Sequence, residues 1–245
     1  MKKQLIAIST VTVLGGMLAL GSCKKSDVTA PILTITGGNT QTASLNAPFS
    51  NPAATATDDV DGNVTSKISI LNPTAVDNNT KAAYTLHYSV SDASGNTATQ
   101  DVVINIVNDA EWLAGTYTVV DSVYNISPLQ SGLPWVTPYP GTPNENITTD
   151  NNLNNKFWVT EFGAHTGGAV YMTVTGTGAG AAINIPSQSV ICGSPSALRT
   201  FSNDTQTPAG TVYMFGTRPG FLLYYKEVIS ANSSTANSTG RYLHD

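Results

Sequence analysis

An all-β fold is what this sequence predicts, on three observations. Apolar residues recur at every second position over short runs, as in Tyr84, Leu86, Tyr88 and Val90, the period that buries one face of a strand. The runs are separated by clusters of Asn, Asp, Gly and Pro that supply turn geometry, and no stretch carries a helical period. Composition agrees: charged residues are 11% of the chain, against about 25% in an ordinary soluble domain, and Thr, Ser, Asn and Gly fill the polar positions. A net charge of -5 leaves no basic stripe for phosphates, which argues against nucleic acid as a partner.

The first segment, 1–22, is built as an export signal. Met1-Lys2-Lys3 supplies the positive region, and Leu5 to Leu20 is an apolar run diluted by Ser9, Thr10, Thr12, Gly15 and Gly16, shorter than the roughly 20 apolar residues of a spanning helix. Its end, Leu20-Gly21-Ser22-Cys23, resembles the lipobox of bacterial lipoproteins. That resemblance implies that Cys23 becomes the acylated first residue and that the chain is anchored by lipid rather than spanning the membrane. The alternative is an ordinary secretory signal with a chance Cys. Lys24 after the Cys, rather than Asp, points in the general lipoprotein pattern to the outer membrane, and Lys24-Lys25-Ser26-Asp27 partly resembles the acidic export tags of surface lipoproteins. Residues 23–29 are polar and aperiodic, a lipidated tether.

From 30 to 108 the strand pattern is continuous. Ile32, Leu33 and Ile35 precede the turn Gly37-Gly38-Asn39, and Ala53 to Thr57 is a strand of small residues. Ile68 to Leu71, Tyr84 to Val90 and Val102 to Val107 follow, a spacing that suggests a sandwich. The runs from Asn51 to Thr65, with Ala56-Thr57-Asp58-Asp59-Val60-Asp61-Gly62-Asn63 at their centre, and from Tyr88 to Ala98 closely resemble the immunoglobulin-like repeats of bacterial surface proteins. The resemblance implies an immunoglobulin-like β-sandwich acting as a spacer or adhesive unit.

Within this unit Asp58, Asp59 and Asp61 invite a calcium reading, since hard cations want several oxygen ligands from a tight loop. The spacing is not that of an EF-hand. If the strands map as in an immunoglobulin-like sandwich, the loop carrying Asp92 lies at the same end, so that Asp58, Asp59, Asp61 and Asp92 could converge on one ion. Turn geometry and side chain to backbone hydrogen bonds explain the same residues without a metal.

Residues 109–245 form a second unit in which all three Trp lie. Strand-like runs appear at Trp112 to Ser122, Phe157 to Phe162, Val170 to Val174, Ile183 to Ile185, Ser189 to Cys192, Val212 to Phe215, Phe221 to Ile229 and Arg241 to Leu243. They predict an antiparallel β-barrel or sandwich. Gly115-Thr116-Tyr117, Phe157 to Gly163, Ile185-Pro186-Ser187-Gln188 and Leu222-Leu223-Tyr224-Tyr225 are similar to the lipocalin-like C-terminal domains of many such lipoproteins, which implies a fold and no ligand. Trp112 and Trp158, in strand patterns, are expected in the core.

The connection from Ser127 to Asn155 is longer than the about 12 to 15 residues that ordinary loops reach. It carries Trp135 and Tyr139 among prolines and ends in the polar stretch Asn144 to Asn155. Aromatic rings flanked by amides suit a sugar, whose apolar face stacks while its hydroxyls bond the amides; packing of Trp135 onto the barrel end is the other reading.

No catalytic constellation is legible. His87, His165 and His244 are scattered, Cys192 reads as a small buried hydrophobe, and Glu145, Asp150 and Glu161 lack glycosidase spacing. Once Cys23 is acylated, Cys192 is the one remaining thiol, so neither unit rests on an internal disulfide. The sequence thus predicts a non-catalytic outer-membrane or surface lipoprotein without an obligate cofactor, held on the membrane by its lipid. Its C-terminal β domain would bind a ligand, glycan being the leading class. The alternative is a structural or adhesive protein contacting another envelope protein.

Overall fold

The computed structural model describes residues 26–71, 75–127, 144–204, 210–230 and 234–245. Among them the structure is strand throughout, relieved by three short 3-10 turns, and no helix is long and apolar enough to cross a membrane.

Among the described residues the first unit has seven strands: β1 (Ile32–Ile35), β2 (Thr40–Ser44), β3 (Ala54–Asp58), β4 (Gly62–Asn63), β5 (Ser69–Leu71), β6 (Ala83–Ser91) and β7 (Thr97–Val107). They form two sheets, ordered β1-β3-β4 and β2-β7-β6-β5. The alternation expected from the sequence is realised: Leu86, Tyr88 and Val90 on β6 and Val102, Ile104 and Ile106 on β7 are buried. With Ile35 and Leu45 all of them but Val90 make one core cluster, and Val90 joins Ala56 and Val64 in a second, each large side chain contributing about 1.5–3 kcal/mol by leaving water. The Tyr88 hydroxyl, buried with its ring, donates to the Pro52 carbonyl at 2.7 Å.

Strand β2 was not legible beforehand. Thr-Gln-Thr-Ala-Ser has no apolar alternation, and its pairing with β7 is parallel, Thr40 opposite Val103 and Ser44 opposite Val107. A parallel edge of this kind depends on a crossover, not on local pattern.

Among the described residues the second unit has ten strands: β8 (Gly115–Ser127), β9 (Glu145–Thr149), β10 (Lys156–Thr160), β11 (Ala169–Thr175), β12 (Ala182–Asn184), β13 (Gln188–Cys192), β14 (Ala197–Asn203), β15 (Gly210–Phe215), β16 (Arg218–Ile229) and β17 (Ser234–His244). Eight of them close on themselves in the order β8-β9-β10-β11-β12-β15-β16-β17, the ring being sealed by β17 against β8. The unit is therefore a closed antiparallel barrel, which leaves no edge in the ring.

Strand β16 is long enough to take two partners on one side: β15 along Arg218 to Leu222 and β14 along Tyr225 to Ile229. The β13–β14 hairpin thus extends the wall. Its far strand is clasped to β11 by Gln188, whose amide accepts from the Tyr171 N–H at 2.9 Å and donates to the Tyr171 carbonyl at 2.7 Å.

Strand β9 lies inside the stretch expected as a long loop, and β14 was also unforeseen. Glu-Asn-Ile-Thr-Thr carries a single apolar residue, yet its burial alternates because Glu145 and Thr149 turn inward beside Ile147. Trp112 belongs to a 3-10 turn, Glu111–Leu113, and packs against the barrel core from its rim. Trp158 is not in the core. It lies half-buried on the outer face of β10, edge-on to Tyr171 at 5.5 Å with Lys156 over its ring, and its indole N–H donates to Asp150 at 2.9 Å.

The two units meet through amides. Asn108 places its side-chain nitrogen 2.9–3.0 Å from the carbonyls of Asp150, Leu153 and Lys156, while its oxygen accepts from the Ala110 and Asn155 N–H groups. Asn46 donates to the Asn152 carbonyl and accepts from the Asn154 N–H, and Lys81 pairs with Glu111 at 2.8 Å. The polar Asn144 to Asn155 stretch is thus a strand followed by the turn that docks the barrel on the sandwich.

Candidate functional site

The inward row of the barrel changes character along its axis. Phe221 on β16 stacks on Tyr242 of β17 with ring centroids 4.5 Å apart, and Tyr117 of β8 meets both rings. The same face of β16 then presents Leu223, Tyr225 and Glu227, and that of β8 presents Val119 and Asp121, all buried. Register explains how Asp121 reaches Tyr225. Asp121 lies opposite Gly240, which lies opposite Leu223; a Cβ at Gly240 would come within 2.9 Å of the Asp121 Oδ1 atom. With no side chain there, the carboxylate lies over β17 and accepts from the Tyr225 hydroxyl at 3.2 Å. Gly163, at φ 68°, also leaves room for it: a Cβ there would lie 3.0 Å from that hydroxyl.

Three carboxylates share this interior on different terms. Glu227 is ion-paired to Arg199 and lies 3.2 Å from His165. Burial pushes its carboxyl up, but the His165 and Arg199 contacts outweigh burial and hold it below the usual range. Glu145 accepts from the Tyr242 hydroxyl at 2.8 Å. Asp121 has no cation in contact among the described residues: burial raises its pKa to about 6, against the Tyr225 hydrogen bond and the field of His165 and with the repulsion of Glu227. Its Oδ2 atom is buried and, among the described residues, accepts no hydrogen bond. Burial likewise raises the pKa values of Tyr225 and Tyr242, with the neighbouring carboxylates adding to it. The result is an apolar aromatic cluster with buried carboxylates and phenols grouped beside it, among them one Asp121 oxygen open to a hydroxyl donor.

None of this polar group was singled out from sequence except Glu145. Arg199, His165 and Glu227 are far apart along the chain, and a lone Asp in a strand pattern carries no signal until the register is known. Cys192 is buried and free, its thiol pushed up by burial. Trp135, Tyr139 and Cys23 lie outside the described residues. Asp150, on the outside, is held down to about 2: burial pushes it up but is outweighed by the N–H of Asn152, by Lys156, by the Trp158 indole and by the N–H of Leu153.

The acidic loops of the first unit do converge at one end. Asp58 ends β3, and its Oδ1 atom accepts from the Val60 and Asp61 N–H groups at 3.0 and 2.8 Å. Asp92 follows β6 and accepts from the backbone and side chain of Asn96. Burial raises its pKa, but these bonds, with those of the Gly95 and Ser94 N–H groups, leave it lower than usual. One ligand atom each from Asp27, Asp58 and Asp92 lie within 4.8 Å of one another. Asp59 is exposed, and Asp61 stays outside this group though it reaches the Asp92 loop, accepting from the Ala93 N–H at 2.5 Å and facing Lys67 at 3.6 Å. Of the four residues expected to converge, the structure gathers two and adds Asp27, from the segment read as tether.

Residues 33–106 match the family of bacterial surface proteins with an Ig-like domain. No curated protein matches the chain. Among solved structures, the lipoprotein BT2262 of Bacteroides thetaiotaomicron is similar at 15% identity and a TM-score of 0.32, over 86% of this chain and 99% of that one. The CBM51-2 and INT domains of Clostridium perfringens ZmpB, in a structure containing GlcNAc, are similar at 13% identity and a TM-score of 0.29, over 86% of this chain and 43% of that one. Likeness at this level carries no argument about ligands.

Proposed function

We propose, from the bacterial surface-protein Ig-like domain at residues 33–106, that this chain is an outer-membrane lipoprotein anchored through Cys23 whose barrel binds a glycan without transforming it. The observation that carries the ligand class is the barrel interior: Asp121 with a buried acceptor atom lacking a donor, grouped with Tyr225, Tyr242, Glu145 and Glu227. A buried acceptor without a donor costs about 1–3 kcal/mol, and a sugar hydroxyl supplies the donor without bringing a charge. Trp135 and Tyr139 serve as the stacking residues for the apolar face of the sugar ring. The sandwich holds this barrel away from the membrane, and the Asn108 junction makes the spacing stiff.

Tryptophan fluorescence of the full chain against a panel of neutral oligosaccharides tests the reading, beside Trp135→Ala and Asp121→Ala variants. A saturable change that weakens at least tenfold in both variants is the expected result. No response across the panel would overturn it in favour of protein contact. That second reading has its own observation: Ile191 and Leu198, directly paired between β13 and β14, are 66% and 45% exposed on the outer wall.

A further inference from the structure

Asp27 lies just before β1, in an extended segment that makes no strand pairing. It is nevertheless held in place: its Oδ1 atom accepts from the Thr29 N–H at 3.0 Å, and its carbonyl accepts from the Asn96 amide at 3.3 Å. Asn96 gives the same amide to Asp92 at 2.6 Å, so Asp27 and Asp92 are gathered around one side chain. Asp58 reaches the same point from the β3 end.

The three carboxylates would repel one another, and no described Lys, Arg or His pairs with any of them; the nearby Lys67 faces Asp61 instead. Nor are the oxygens used up. Asp58 is 9% exposed, its Oδ1 atom satisfies the loop amides, and its Oδ2 atom is buried with no hydrogen-bond partner among the described residues. The Asp27 Oδ2 atom is in the same condition. Local hydrogen bonds therefore account for one oxygen of Asp27 and one of Asp58 and leave the other without a role, while both oxygens of Asp92 accept from Asn96. Two ligands on one calcium ion, each at about 2.3–2.6 Å, can be at most about 5.2 Å apart, and the observed limit of 4.8 Å fits within that. An all-oxygen, all-carboxylate set suits a hard cation and offers zinc neither sulfur nor nitrogen.

We propose that Asp27, Asp58 and Asp92 form a calcium site that ties the segment before β1 to the two loops at this end of the sandwich. Carbonyl oxygens and water complete the coordination. The ion neutralises the cluster and fixes the direction in which the chain enters the first domain, so that calcium outside the cell stiffens the stalk at its base. The binding claim is independent of the glycan reading; only the stalk's relation to the membrane rests on the envelope assignment.

The test is calorimetric titration of the full chain, purified in detergent and stripped with EGTA, with calcium chloride and then magnesium chloride. One calcium per chain is expected with a Kd at or below about 1 mM, the range of extracellular modules, with magnesium weaker. Asp58→Asn, which keeps the loop-forming Oδ1 atom, and Asp27→Ala, in a segment outside both sheets, should each weaken calcium at least tenfold. Asp59→Asn should leave it unchanged. Absence of heat up to about 5 mM calcium on folded protein would overturn the site, as would an Asp27→Ala variant binding like the parent or an Asp59→Asn variant binding like Asp58→Asn.

Discussion

At the scale of single residues, Asp121 shows how burial converts an ordinary side chain into a titrating one. Its folded pKa of about 6 lies above the about 3.9 of an unfolded Asp, so the folded state binds the proton more tightly. Its contribution is therefore fully present below about pH 4 and is lost as pH rises through about 6. Replacing it by Asn removes the charge and keeps an amide beside Tyr225. Urea unfolding at pH 4.5 and pH 8 should show the variant's stability relative to the parent rising by about 2 kcal/mol from the lower pH to the higher. Equal effects at both pH values would mean that Asp121 is not the titrating group. The same substitution removes the acceptor proposed for the sugar, so the gain in stability and the loss of binding should appear together.

At the scale of elements, β17 is the strand on which the barrel depends. It seals the ring between β16 and β8, and it passes beneath Asp121 only because position 240 has no side chain. A methyl group there would lie 2.8 Å from the Tyr242 ring and 2.9 Å from the Asp121 carboxylate. Gly240→Ala should accordingly cost about 1–3 kcal/mol through overpacking, read as a lowered midpoint in urea. Exposure of the Tyr242 and Phe221 pair should follow in the near-ultraviolet circular dichroism. The alternation that placed β6, β7, β11 and β16 was visible in the sequence because each buries one apolar face. Strands β2, β9 and β14 were not visible: β2 and β9 are polar and are recruited by their neighbours, and β14 buries only Phe201 in the core while Leu198 faces out, so it shows no alternation.

At the scale of the whole molecule, the Asn-rich turn after β9 is the hinge point made rigid. Asn108 serves carbonyls of Asp150, Leu153 and Lys156 with one amide, and replacing it by Ala leaves those groups without that donor at a cost of about 1–3 kcal/mol. Hydrogen exchange should accelerate locally at residues 150–156 in Asn108→Ala, and small-angle scattering should report a broader distribution of interdomain distances. Unchanged scattering would show that Asn46 and Lys81 suffice to hold the junction. A stiff junction suits a chain that presents its barrel at a distance; a loose one would suit a barrel that searches.

What the sequence determined by itself was the all-β class and the resemblance of the first unit to bacterial surface repeats, because these are written in period-two burial and in short turn motifs. Convergence of the Asp58 and Asp92 loops was also legible, since it follows from that resemblance. The tertiary structure alone decided the rest. Closure of the barrel depends on β17 meeting β8 across the whole unit, and the Asp121–Tyr225 contact depends on strand register and on the space left at Gly240. The membership of Asp27 in the acidic cluster depends on a polar segment being laid beside Asn96. Each of these joins residues distant in the chain through a geometry that no local pattern encodes.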